Sequence, residues 1–189
     1  MLTSLDLRGL FTPRFFSNLL PLPASNHLRL GHPPPDFLLP DVRNRSTVRL
    51  SDYRGRRTVV LAFTRIFSER HYCPLCYPHL VALNAAYEQF QAQRAEVLLI
   101  VSTDTRQSAR VVQDLGLKLP VLSNPSCDTF RSYQLGQALG APLPAQLVLD
   151  DQGCLRFKHL FSFLSPHAST EQLLTTVRGL ASRPLAQGT

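Results

Sequence analysis

Residues 58–76 read TVVLAFTRIFSERHYCPLC, and this stretch decides the fold. Thr58 to Phe63 is a continuous β-rich run without polar alternation, the pattern of a strand buried on both faces. Cys73-Pro74-Leu75-Cys76 follows, and after it Leu80, Leu83, Tyr87 and Phe90 recur at helical spacing, giving an amphipathic helix to about Gln93. Two thiols three positions apart between a buried strand and a helix are placed to interconvert between dithiol and disulfide. A helix N-terminus offers unpaired N–H groups and the positive end of a dipole, which stabilise a thiolate. Pro74 suits the first helical position, where a missing N–H is harmless. Cys73 is then expected at the exposed N-cap as nucleophile, and Cys76, one turn further in, as the thiol that attacks a mixed disulfide. Pro78 leaves the helix start open. A helix from Pro74 must lose a hydrogen bond at Pro78, whereas a helix from Pro78 leaves both cysteines in the preceding loop.

Upstream of the run, Thr47-Val48-Arg49-Leu50 is strand-like and Ser51 to Gly55 a turn. Prolines punctuate Leu22 to Pro40, which predicts an extended lead-in. Leu5, Leu7, Leu10, Phe11, Phe15, Phe16, Leu19 and Leu20 recur at roughly helical spacing, as in an amphipathic arm that packs on the domain or on another subunit, the alternative on the Arg-rich, acid-poor composition being an organelle transit segment. Thr12-Pro13-Arg14 breaks the apolar core a signal peptide needs.

Downstream, Val97–Val101 is a strand, and a helix capped by Asp104 or Thr105 closes at Leu115-Gly116. Val121-Leu122 is a short strand and Cys127 to Tyr133 a short helix. Gln146–Leu149 and Leu155–His159 make a hairpin across the Asp150 to Gly153 turn, and Thr170 to Leu180 is a closing helix. The alternation implies an α/β fold with a mixed central sheet flanked by helices.

At 189 residues the chain suits one domain with a real core. Four cysteines are too few for a disulfide scaffold. The formal charge of +7 is scattered, without the concentrated aromatic-laced stripe of a nucleic-acid site, and no apolar run is long enough for a membrane span. A cytoplasmic location is expected. The rival chemistry for Cys73 and Cys76 is half a zinc site completed by His71 or His79, although Cys127 and Cys154 stand alone without a second ligand pair.

The segments VRLSDYRGRRTVVLAFTRIF (48–67), YCPLC (72–76), LLIVSTD (98–104) and LPAQLVLDDQGCLRFKH (143–159) together resemble the peroxiredoxin-like redoxins of the AhpC/TSA family, within the thioredoxin-fold superfamily. The resemblance spans roughly residues 31–182, with residues 1–30 as an N-terminal arm and 183–189 as a tail. It implies a thioredoxin-like fold and a cis-proline facing the CxxC, which falls on Pro144. The catalytic set is therefore Cys73, Cys76 and Pro144. The family's signature departs here. Setting its peroxide-attacking cysteine on Cys76 puts Cys73 and Glu69 at the threonine and proline positions, and setting it on Cys73 puts Arg70 and Ile66 there. The family's arginine falls at or near Pro144, and Ala62 takes the position of the thioredoxins' buried acid, leaving Glu69 or His71 as proton acceptors.

These readings converge on a thiol-dependent oxidoreductase. Its substrate is a protein disulfide or a hydroperoxide, its reductant a thioredoxin or glutathione system, and no cofactor or metal is called for. Oligomers are compatible with the family. The alternative is a non-catalytic thioredoxin-fold binding module. Cys154 is expected as a packing residue, and Cys127 as packing or as a distant resolving thiol.

Overall fold

The computed structural model describes residues 13–25 and 27–181. Leu5, Leu7, Leu10 and Phe11 of the arm and the 183–189 tail lie outside the described residues. The N-terminal half contains α1 (Pro13–Ser17), β1 (Leu38–Asp41), β2 (Ser46–Arg49), a 3-10 turn (Leu50–Tyr53), β3 (Thr58–Thr64), β4 (Ile66–Ser68), β5 (His71–Tyr72), α2 (Cys76–Ala85) and α3 (Tyr87–Ala92). The other half contains β6 (Ala95–Val101), α4 (Thr105–Leu115), β7 (Val121–Ser123), α5 (Asp128–Ser132), β8 (Gln137–Ala138), β9 (Ala141–Pro142), β10 (Ala145–Leu149), β11 (Leu155–Leu160) and α6 (Thr170–Ala181).

Seven strands form one sheet in the order β11-β10-β3-β6-β7-β1-β2. β3, β6 and β7 are parallel, and the flanking pairs are antiparallel. The apolar run lies at the centre because no residue of it needs water. Val60 and Ala62 face a layer with Leu80, Leu83, Phe90, Leu174 and Val177. Val59, Leu61 and Phe63 face the opposite layer, with Phe130, Tyr133 and Leu147. This period-two division of an unbroken hydrophobic strand is what a sheet covered on both sides requires.

α4 forms as its caps dictate: Asp104 accepts the Gln107 N–H at 2.8 Å, and Gly116 closes it in the left-handed conformation. Four segments differ from the sequence expectation. The proline-punctuated lead-in contains β1, in which Pro40 pairs with Thr47 on β2. Pro40 is tolerated because β7 pairs with β1 only at Asp41, so no ladder donor is missed. The single helix to Gln93 is divided at Ala86, which has φ −88° and ψ 0°. The segments before Cys73 and before Pro144 fold into the small hairpins β4–β5 and β8–β9.

The described part of the arm packs on its own domain rather than standing free. Arg14 donates to the carbonyls of Ser102 and Phe67, and Leu22 exchanges two 2.8 Å backbone hydrogen bonds with Gln137. Phe15 lies against Gly140, whose φ of +79° and lack of a side chain both matter, since a Cβ there would collide with the ring.

Candidate active site

β3 ends beside β6, and the β4–β5 hairpin carries the chain round to Cys73. Both cysteines are free thiols. Neither is exposed: Cys73 retains 6% and Cys76 1% of its accessible surface. The expectation of an exposed Cys73 at the N-cap is therefore corrected. The Cys73 carbonyl accepts the N–H groups of Cys76 and Tyr77, both at 3.0 Å, while Pro78 has no N–H to give Pro74. Regular helix thus starts at Cys76, with Pro78 inside the first turn, where a missing donor is tolerated. Cys73 lies in the loop just before it, directly after β5.

The two thiols are driven apart electrostatically. Cys73 is lowered to about 6, first because the Cys76 thiol donates to its sulfur, then through the N–H groups of Cys76 and Leu75 and the charge of Arg65, against the opposing effect of burial. Cys76 is pushed up, by its bond to the Cys73 thiolate, by burial and by the nearby negative charge. Arg65, at the exit of β3, is the residue that the sequence reading missed. It is 8% exposed, lies over the Phe67 ring at 4.7 Å, and donates to the carbonyls of Ala138 and, at 3.0 Å, Leu139. Its Nε has no hydrogen-bond partner among the described residues. Burial lowers its pKa, and the two cysteines pull it back up. The available signal was an arginine ending an otherwise apolar strand.

Cys73 and Arg65 thus lie near one another where the chain leaves the C-terminal end of β3. The AhpC/TSA family matches residues 30–158. This chain belongs to that family. It is a peroxiredoxin-like redoxin of the thioredoxin-fold superfamily, which places it among thiol-dependent oxidoreductases. A chloroplastic 2-cysteine peroxiredoxin of Chattonella marina var. antiqua is 27% identical over 163 residues, covering 81% of this chain and 80% of the relative. Among solved structures, peroxidoxin BcpB of Mycobacterium tuberculosis superposes with a TM-score of 0.68 at 22% identity, over 82% of this chain and 99% of that one. The reduced 2-Cys peroxiredoxin of Plasmodium vivax gives 0.67 at 18%, over 79% and 80%. Both share the thioredoxin-like fold.

In this redoxin Pro144 is buried and directly precedes β10, whose Ala145 pairs with Phe63, so it stands at the same end of the sheet as Arg65. It is not a cis-proline, because there is no cis peptide bond among the described residues. The Leu143 N–H bonds Gly136 O at 3.0 Å, and the backbone runs extended from β9 into β10, a path that a trans step continues. The two proposed proton acceptors are engaged elsewhere: Glu69 faces Arg110 at 3.9 Å, and His71 Nδ1 shares a 2.8 Å hydrogen bond with Ser68 Oγ. Cys127 belongs to the core layer on the opposite side of the sheet from the α2 residues Leu80 and Leu83, and Cys154 is half-buried in the hairpin turn. Among the described residues no group of three or more His, Cys, Asp or Glu side chains comes together as a metal ion would require. No helix among them is long and apolar enough to cross a membrane.

Arg65→Met should raise the Cys73 pKa by about one unit, since it removes the cation while keeping most of the buried stem. The rate of iodoacetamide alkylation against pH measures it. An unchanged profile would leave the backbone N–H groups and Cys76 as the whole source of the depression.

Proposed function

We propose that this redoxin is a thiol peroxidase in which Cys73 is the attacking thiolate and Cys76 the resolving thiol, with a hydroperoxide as oxidant. The observation that carries this reading is the opposite displacement of two adjacent thiols, one toward thiolate at neutral pH and the other held protonated. A nucleophile and a resolver need those two states at once. The burial of Cys73 favours a small hydroperoxide over a folded protein's disulfide, whose sulfurs cannot easily enter.

In the first step the Cys73 thiolate attacks the distal peroxide oxygen. The O–O bond breaks, the alkoxide or hydroxide takes up a proton, and Cys73 becomes a sulfenic acid, oxidised by two electrons. Arg65 is placed to stabilise the negative charge before and during this step. Cys76 then attacks the sulfenic sulfur, the S–O bond breaks, and the Cys76 proton leaves with the hydroxide as water. The resulting Cys73–Cys76 disulfide returns to the dithiol at the expense of a thiol reductant of the thioredoxin or glutathione class. A reducing compartment, such as the cytoplasm, suits that cycle. The same reading takes residues 31–182 as the catalytic domain, residues 1–30 as an N-terminal arm and residues 183–189 as a tail, and it is compatible with oligomers.

One equivalent of hydrogen peroxide or cumene hydroperoxide should produce the intramolecular Cys73–Cys76 bond in non-reducing peptide maps, and catalytic peroxide consumption should follow when dithiothreitol is added. A Cys73–Cys127 bond would make Cys127 the resolver. Insulin reduction without peroxide consumption would turn the assignment to disulfide exchange. Binding of partners unaffected by removing both thiols, with neither activity, would leave a binding module.

A further inference from the structure

The β4–β5 and β8–β9 hairpins stand outside the seven-stranded sheet, and ladders this short are marginal without further contacts. The arm supplies them. Arg14 is half-buried, and among the described residues no carboxylate lies within ion-pair distance of it. Its Nη2 donates to the Phe67 carbonyl on β4 and its Nη1 to the Ser102 carbonyl just after β6. A guanidinium withdrawn from water usually faces an anion, whereas this one directs its donors at main-chain oxygens of two separate segments and so ties them together. Asn18 Nδ2 bonds the Arg14 carbonyl at 2.8 Å, and the Asn18 carbonyl accepts the Gly140 N–H at 3.0 Å. Gln137 Nε2 donates to the Ser17 and Leu20 carbonyls at 3.1 and 3.3 Å, in addition to the Leu22–Gln137 bridge and the Phe15 ring on Gly140. The arm therefore grips β4 at Phe67 and the β8–β9 hairpin at Gln137 and Gly140.

Arg65 lies between the same two segments. Its guanidinium sits over the Phe67 ring at 4.7 Å and donates to the Ala138 and Leu139 carbonyls. Phe67 is the residue that Arg14 holds, and Ala138 and Leu139 are the two residues between Gln137 and Gly140. Among the described residues, each of these contacts of the Arg65 head is to a residue that the arm holds or that lies between two that it holds. On the side of the dithiol, Ile66 pairs with Tyr72 across the β4–β5 hairpin, so Arg65 and Cys73 are the next residues along that antiparallel ladder and lie side by side at its open end. Holding a long, flexible cation out of water is unfavourable on both entropic and solvation grounds, and without both walls the Arg65 side chain extends to solvent.

We propose that the N-terminal arm is a strap, anchored by Arg14, that positions the Arg65 guanidinium beside Cys73 by fixing the β4 and β8–β9 walls between which it lies. The inference rests on Cys73 being the attacking thiolate. Arg14 is a positioning residue: it bonds Phe67 and Ser102 rather than either thiol of the pair, and it acts on the reaction only through where it leaves Arg65. Cys127 reports the state of the strap, because it lines one cavity with Asn18, Leu22, Pro23 and Ser25 of the arm.

The test is a double-mutant cycle on the full chain, read by mass spectrometry as iodoacetamide alkylation of each cysteine. The Cys73 rate at about pH 5 is divided by its plateau at about pH 9, so that a change in exposure cancels and a change in thiolate fraction remains. Arg14→Met keeps the apolar stem and removes both donors. It should lower that ratio by about three-fold, as a cation moved away from the sulfur requires, and should speed alkylation of Cys127. In an Arg65→Met background the same substitution should leave the ratio unchanged, since no cation is left to position, while still exposing Cys127. An equal drop in both backgrounds means that Arg14 acts by its own charge, and no drop in the otherwise native chain means that the arm does not hold Arg65; either result overturns the proposal. Should Arg14→Met lose cooperative thermal unfolding, Gln137→Leu, which removes the side-chain bonds to Ser17 and Leu20, decides by the same cycle. Failure of the underlying reading is distinguishable: Cys73→Ser would then retain peroxide turnover, whatever the alkylation ratios do.

Discussion

Cys73→Ser should abolish peroxide turnover, with a loss of at least about a thousand-fold, because a serine hydroxyl stays protonated where the Cys73 sulfur is an anion, and no other covalent route remains. Cys76→Ser should behave differently. The first oxidation should proceed and then stall, leaving Cys73 as a sulfenic acid that dimedone captures, or as a mixed disulfide when a thiol is present. Cys76→Ser should also raise the Cys73 pKa somewhat, because a hydroxyl replaces the thiol that donates to its sulfur. Cys127→Ser and Cys154→Ser should leave turnover within a few-fold, since the first lies across the sheet and the second in the β10–β11 turn. Steady-state peroxide consumption with dithiothreitol and mass analysis after a single turnover separate these outcomes. A Cys127→Ser protein that accumulates oxidised Cys73 would reassign the resolving thiol.

Acid should begin to destabilise the fold above the range in which its carboxylates titrate. His79 is lowered to about 3, by burial first and then by its neighbours His167 and His159. His167 is lowered to about 4, by burial and His159, with the Leu75 carbonyl opposing. Both sit below the ordinary histidine value near 6.5. In the unfolded chain they take up protons as pH falls through that value, while in the folded protein they stay neutral. The stability they represent is therefore complete above about 6.5 and declines as pH drops toward 4 and 3. Each pH unit in that window costs up to about 1.4 kcal/mol for buried His79 and less for the half-buried His167. Cys73 contributes its own pH dependence only above about 6, Asp36 and Asp128, which are lowered from 3.8, enter only near and below that value, and exposed Glu88, lowered from 4.5 by its bond to Lys118, enters near and below 4.5. Urea midpoints between pH 6 and about pH 5 thus isolate the pair. Wild type should lose stability steeply there, and His79→Phe, which stacks without titrating, should flatten the slope. Parallel slopes for the two proteins would mean that the imidazoles are already protonated in the fold.

Several features needed only local sequence. The unbroken apolar run of β3, the Asp104 cap and Gly116 stop of α4, and the turn joining β10 to β11 are written in residues close to one another, and each formed where expected. The two thiols lie near enough to interact because the turn that opens α2 folds the chain between them. What tertiary structure decided is everything that depends on which surfaces meet. Pro78 withheld one N–H and set the start of α2 at Cys76, but the burial of Cys73 was decided by the packing of the loop before that helix. Arg65 looks in sequence like any surface cation following a strand, and only the docking of the β8–β9 carbonyls makes it a buried charge beside the thiols. His79, His167 and Gln146 carry no shared spacing, yet the two rings stack and Gln146 bonds His167. They meet because α2 and the chain before α6 pack on the same face of β10, and there the low-dielectric interior, not the residues' own chemistry, keeps both imidazoles neutral.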